Sequence, residues 1–371
     1  MYEDYAENKL KNNLFEYATS ELSQDVFICW LASYAHENAE KDAALNECAR
    51  KMLAMFVPEF EGKDYKLLNV ERQVDNVDVL LTVECEGKFY KIIVEDKTYT
   101  SEHDNQLNRY KENLIKQQKD PNVEIKGVYY KTGFQCDMSN VIKSGYEIID
   151  REKMLQLLGA YADKTNNQIF ISYYEYWKDK QKLAESYKTL PVVDWGWWAV
   201  YNFYDYLHRK SEFLSNRGFN SDYWYVANPS GGFECLYIPL KDTDKEIFNV
   251  DNIDEDDKKT EYKCWLYLQI ETILRYEKTS LQIRLKMGNE DGKRVGTYSL
   301  KEKFLEKYVY GFTNFVKPAR LSPGQYMTVG IYDVTFGEND GLDILLKALD
   351  EAIQDYYKIL EAYNKDQENN K

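Results

Sequence analysis

The sequence predicts an α/β fold for roughly the first 150 residues, followed by an α+β C-terminal region. Three observations carry this. Apolar, β-branched runs at Leu67–Val74, Val77–Glu84 and Lys88–Asp96 succeed one another after two or three helical patterns. A further helical pattern then leads into the apolar run Ile125–Lys131, so that a helix crosses between two strands and the pair is expected to be parallel. Beyond Arg151 the texture changes to long Tyr- and Lys-rich helical patterns and then to short strands. The domains are accordingly expected at 1–150 and 151–371, in keeping with a chain of 371 residues.

Taken in order, residues 8–17 read as a short helix, and a second begins near Thr19 with Thr19 or Ser23 as its N-cap. Glu21 and Asp25 stand four apart on that helix and share a face. Ala39–Phe56 reads as a third helix, stopped before Pro58. Glu86-Gly87 is the turn between the second and third strands. A helix is expected from Ser101 to Lys119, ended by Pro121, and Gly145–Ile149 adds a last strand. In the C-terminal region, helical patterns cover Glu152–Tyr161, Asn167–Lys188 and Trp197–Leu214. Strands are expected at Tyr223–Val226, Phe233–Ile238, Lys263–Ile270, Ser280–Lys286 and Tyr326–Phe336. Asp251–Asp257 reads as a solvated acidic loop, Gly341–Tyr363 as a helix, and Asn364–Lys371 as a frayed tail.

Composition excludes several classes. Hydrophobic residues at 44% and charged residues at 30% describe a globular chain, not a disordered one, and no apolar run reaches membrane-spanning length. A net charge of −15 argues against a broad polyanion-binding surface but leaves room for a local basic groove. Six cysteines without a C-x-x-C pair argue against a zinc ribbon or an iron–sulfur centre. With no apolar leader in MYEDYAENKL, a cytoplasmic protein is expected.

One stretch concentrates chemistry. The run Tyr90–Val94 ends in Glu95-Asp96-Lys97, and strand alternation puts Glu95 and Lys97 on one face and Asp96 on the other. Asp78, on the neighbouring strand, can bring its carboxylate to within a few Å of Glu95. Such paired hard oxygens suit Mg²⁺ or Mn²⁺ and phosphate chemistry, with Lys97 orienting water or stabilising developing charge. Glu21 or Asp25 could complete the metal shell. Gln106 and Tyr110, one helical turn apart, could hold Lys97 and a phosphate in register. Acid-x-Lys recurs at Glu61–Lys63, Asp64–Lys66, Glu86–Lys88 and Glu124–Lys126, but only the Glu95 copy closes an apolar strand and precedes Gln-x-x-x-Tyr. His103 lies close enough in sequence to touch a phosphate. Trp195, Trp197, Trp198, Trp224 and Tyr225 could stack on unpaired bases or simply form core.

Asp78, Glu95-Asp96-Lys97 and Gln106 to Tyr110 resemble the motif set of the PD-(D/E)xK nuclease superfamily, in its RecB-like branch. Leu22–Phe27, Val94–Lys97, Asn105–Leu107 with Tyr110, and Tyr225–Phe233 resemble a bacterial family of uncharacterised members. The resemblance implies a restriction-endonuclease-like core of order αβββαβ, its mixed sheet flanked by helices. It further implies a Mg²⁺ or Mn²⁺ ion held by Asp78, Glu95 and the Asp96 carbonyl, and Lys97 as catalytic lysine. Val77, where the superfamily often has Pro, departs from the pattern. The expected activity is metal-dependent nucleic-acid cleavage, with DNA as substrate and a protein partner conceivable through the C-terminal region. The rival expectation is a non-catalytic protein- or nucleic-acid-binding module of the same fold.

Overall fold

The computed structural model describes residues 12–369 except 19, 40, 104, 119, 229–230, 242–247, 254–258, 275–277, 290–303 and 322–324. The chain forms two compact units, Met1–Lys182 and Leu183–Lys371.

The first unit is mixed α/β. Helices α1 (Ser20–Ser33) and α2 (Ala43–Phe56) precede strands β1 (Tyr65–Val74), β2 (Val77–Cys85) and β3 (Lys88–Lys97). Helix α3 (Gln106–Gln117) leads to β4 (Val123–Lys131), then α4 (Ser139–Lys143) to β5 (Tyr146–Asp150). The strands lie side by side in chain order, antiparallel from β1 to β3 and parallel from β3 to β5. Two-residue turns make the hairpins. Asp75-Asn76 and Glu86-Gly87 all take positive φ, the conformation that matches the twist of the flanking strands. On one face Leu80, Ile93, Tyr129 and Tyr146 pack with Leu107, Tyr110 and Leu114 of α3. On the other, Val79, Leu81, Ile92 and Val94 are fully buried, and α1 lies against β1, β2 and β3.

Several expected boundaries move. Ser23 lies inside α1 and not at its N-terminus, while Thr19 and residues 8–11 fall outside the described residues; of 12–17, only Leu14–Glu16 is helical, as a 3₁₀ turn. Helix α2 starts at Ala43, not Ala39, because Asp42 accepts from Leu45 N at 3.0 Å and caps it there. Helix α3 starts at Gln106, not Ser101, because Asn105 before it takes a left-handed φ of 55°, which no right-handed helix can run through. Lys131 Nζ donates to the carbonyls of Thr98 and Thr100, and Thr98 N donates to Glu21. Residues 151–182 pack with the first unit. Helix α5 (Arg151–Gly159) places Arg151 against Thr132 O, and α6 (Gln168–Glu185) carries Tyr173, whose ring stacks on Phe27 at 3.5 Å between centroids.

The second unit is built on a seven-stranded antiparallel sheet. Its strands are β6 (Asp222–Val226), β7 (Phe233–Ile238), β8 (Phe248–Ile253), β9 (Lys259–Ile273), β10 (Ser280–Asn289), β11 (Phe315–Val316) and β12 (Tyr326–Tyr332). Their order is β11-β12-β10-β9-β7-β6, with β8 paired to β9. Helix α7 (Trp197–Asp205) precedes the sheet. The last helix, α8 (Leu342–Asn369), anchors to it through Tyr356 Oη, which donates to Leu266 O at 2.9 Å. Residues 251–253 belong to β8 and not to a loop, residues 254–257 fall outside the described residues, and 364–369 continue α8. Among the described residues no helix is long and apolar enough to cross a membrane.

Candidate functional site

The geometry begins where β2 and β3 part. Val79 and Val94 are the last ladder pair, and one step further the register sets Asp78 opposite Glu95. Asp96 N donates to Asp78 Oδ2 at 3.1 Å, which holds the two strand ends together. Glu95 is fully buried on the α3 side. Its Oε1 accepts from Lys97 Nζ and, at 2.7 Å, from Gln106 Nε2, which also donates to Tyr110 Oη at 2.6 Å. Lys97 Nζ donates to Asp96 O at 3.2 Å and stands 3.9 Å from Asp78 Oδ2. The structure thus brings Asp78, Glu95, Lys97, Gln106 and Tyr110 into one network, with the Asp96 carbonyl among them.

Strand alternation sends the Asp96 side chain the other way, to α1. There Gln24 Nε2 donates to Asp96 Oδ2 at 2.9 Å and to Thr98 Oγ1 at 2.7 Å. Carboxylate oxygens of Asp25, Asp78 and Asp96 lie within 4.8 Å of one another. Arg72 Nε, on β1, is 3.6 Å from Asp25 Oδ2. Of the two α1 acids, Asp25 therefore joins this cluster. Glu21 Oε1 instead accepts from Thr98 N at 3.3 Å and Thr100 Oγ1 at 2.8 Å, and so holds the loop that leaves β3.

Four participants escape a reading of the sequence: the Asp96 side chain, Gln24, Arg72 and Lys131. The alternation of β3 did place Asp96 on the opposite face, but nothing in the chain names the helix that meets it. Lys131 had a local signal, since it closes the apolar run of β4 as Lys97 closes that of β3, and the two are register partners.

Burial and crowding set the protonation. Burial and then the Asp78 carboxylate push Glu95 up to about 7. Burial raises Asp78 too, outweighing the nearby Lys97 ammonium. Asp96 is raised by burial and by its neighbour Asp25. Burial pulls Lys97 down, but Glu95 and Asp78 outweigh it and leave the ammonium favoured. Lys131, buried, is lowered to about 8. Four carboxyl groups thus face two cations, Lys97 and Arg72. The excess negative charge calls for protons or for a divalent cation. Asp25 Oδ1 and Glu95 Oε2 are buried without a hydrogen-bond donor among the described residues. An all-oxygen donor set with two unsatisfied oxygens fits Mg²⁺ or Mn²⁺.

The remaining candidates fall elsewhere. His103 lines a cleft of about 320 Å³ beside Gln106, with Glu102 and Lys143. Trp195 is buried, its Nε1 donating to Leu190 O at 3.0 Å, so it belongs to the core and offers no stacking surface. Trp197 and Trp198 are half-buried and pack edge to face.

Compared with known proteins, the chain matches no family model, no curated protein and no solved structure.

Proposed function

We propose that the first unit is a restriction-endonuclease-like core and that the chain is a metal-dependent nuclease hydrolysing phosphodiester bonds, with DNA as its substrate. The observation that carries this reading is the convergence of Asp25, Asp78 and Asp96 within 4.8 Å, beside Glu95 and its partner Lys97, at the ends of β2 and β3. Asp78, Glu95, the Asp96 carbonyl and Asp25 would hold a Mg²⁺ or Mn²⁺ ion. When bound, such an ion neutralises charge on the scissile phosphate and acidifies water.

The chain's own groups supply the rest. Lys97, kept as an ammonium by Glu95 and Asp78, donates to the attacking water or to a non-bridging phosphate oxygen as charge builds there. Gln106, buttressed by Tyr110, fixes the Glu95 carboxylate so that Lys97 has one position. Gln24 and Lys131 fix the Asp96 side chain and the loop behind it.

The test is cleavage of labelled single- and double-stranded DNA and of RNA with Mg²⁺ or Mn²⁺, for wild type, Asp78→Ala and Lys97→Ala. Removing a group that acts in the transition state lowers the rate by roughly 10² to 10⁴. Cutting that needs the ion and is lost in both variants supports the proposal. No cutting of any substrate leaves the binding-module reading in its place.

A further inference from the structure

Lys131, the last residue of β4, carries a buried ammonium. The residue is 2% exposed, and among the described residues its Nζ donates to two backbone oxygens, Thr98 O at 3.0 Å and Thr100 O, and pairs with no carboxylate. Burying an ammonium is costly, and a side chain kept at this place for packing alone would be apolar. The charge therefore has a use where it stands, and its two partners show what it holds.

Both oxygens belong to the segment by which the chain leaves β3, directly after Lys97. Lys97 and Lys131 are register partners on parallel strands, so their side chains leave the same face of the sheet. Beyond that pair the two strand ends stay joined. Thr132 N donates to Lys97 O at 3.1 Å, Thr98 Oγ1 and Thr132 Oγ1 share a hydrogen bond of 2.9 Å, and Arg151 donates to Thr132 O. From α1, Glu21 Oε1 accepts from Thr98 N at 3.3 Å and from Thr100 Oγ1 at 2.8 Å. An ammonium thus takes the carbonyls of this segment while a carboxylate takes its N–H and a hydroxyl, and the segment can face only one way. Lys97 is the residue at its start. The Lys97 ammonium, bonded to Glu95 and to Asp96 O at 3.2 Å, keeps its place only if the backbone on both sides of it is fixed.

We propose that Lys131 is a positioning residue for Lys97. It fixes the backbone that follows Lys97, and so keeps that ammonium on Glu95 and the Asp96 carbonyl, while itself meeting neither ion nor substrate. The catalytic consequence rests on the nuclease reading; the ordering of the segment does not.

The test is Lys131→Met in the full chain, which keeps the length of the side chain and removes its charge, with Lys131→Gln in its place should the Met variant not fold. Hydrogen exchange in EDTA is expected to speed up by roughly 10-fold or more over residues 97–101 and to stay at the wild-type rate in β2. Calorimetric titration of Mn²⁺ gives the wild-type affinity, because Lys131 touches none of the carboxylates. Cleavage of a substrate that wild type cuts shows kcat lowered by roughly 10- to 100-fold with KM within about 2-fold, the pattern of a misplaced group acting in the transition state. A folded variant with wild-type exchange in 97–101, or with wild-type kcat, would overturn the inference. So would a loss of kcat matched by an equal loss of Mn²⁺ affinity, which would make Lys131 a prop of the carboxylates. A wild type that cuts nothing sinks the nuclease reading instead, and the exchange measurement then decides alone whether Lys131 orders the segment.

Discussion

Replacing Asp25 by Asn should stabilise the ion-free protein while removing its response to divalent ions. Asp25 is 2% exposed, and its carboxylate lies within 4.8 Å of those of Asp78 and Asp96. Two full charges at 4.8 Å repel by roughly 3.5 kcal/mol at an effective dielectric of about 20. Part of this is already relieved, because crowding and burial push Asp96 and Asp78 toward their protonated forms, Asp78 keeps 27% of its side chain exposed and Arg72 stands 3.6 Å from Asp25. The net gain on removing the charge is roughly 1 to 2 kcal/mol, or about 2 to 8 °C in Tm for a unit of this size. Thermal unfolding in EDTA and in Mn²⁺ reads both halves of the prediction. Wild type gains stability from the ion, by about 2.7 kcal/mol at a hundred times its Kd, whereas Asp25→Asn gains little. An Asp25→Asn protein that melts below wild type in EDTA would refute the reasoning, since the cluster would then be held together by Asp25 and not strained by it.

Two more outcomes follow from the same network. Glu95 is raised from 4.5 to about 7, so between those values the folded protein keeps a proton that the unfolded chain has released. The Glu95 contribution to ion-free stability therefore falls as pH rises from about 4.5 to about 7, by roughly 3 kcal/mol, and levels off above. Asp78 and Asp96, also raised, add to the same slope, so Tm against pH in EDTA should be visibly flatter for Glu95→Gln but not flat; identical slopes would contradict the assignment. Gly133→Ala should unfold the loop behind β3. A Cβ at Gly133 would lie 2.0 Å from Thr98 O, a backbone atom also held by Lys131, so a loss of roughly 2 to 4 kcal/mol is expected in denaturant melts, and none would mean the loop is not so constrained.

The five-stranded sheet was legible because its signals are local. Apolar alternation marks β2 and β3, Glu86-Gly87 marks their turn, and a helix between β3 and β4 dictates their parallel pairing. The α3-side half of the site was legible for the same reason: Glu95, Lys97, Gln106 and Tyr110 are tied together by strand and helix periods within a stretch of sixteen residues, Glu95 to Tyr110 inclusive. The α1-side half was not. Glu21 and Asp25 are equivalent on a helical wheel, and only the way α1 seats on β1–β3 gives one to the carboxylates and the other to the Thr98 loop. The start of α3 was misread because the left-handed backbone at Asn105 interrupts the pattern that would have extended the helix. In the second unit, Trp195 and Trp224 look alike in sequence, yet one is core and the other surface.

The central claim is that these carboxylates hold a divalent cation, and calorimetric titration of Mn²⁺ into wild type and Asp78→Asn at pH 8 tests it most directly. Asp78 is the acid common to both faces of the site, opposite Glu95 and within 4.8 Å of Asp25 and Asp96. Saturable binding by wild type, lost in a folded Asp78→Asn protein, is the predicted result. A wild type that takes up no Mn²⁺, or an Asp78→Asn protein that takes up as much, would contradict it.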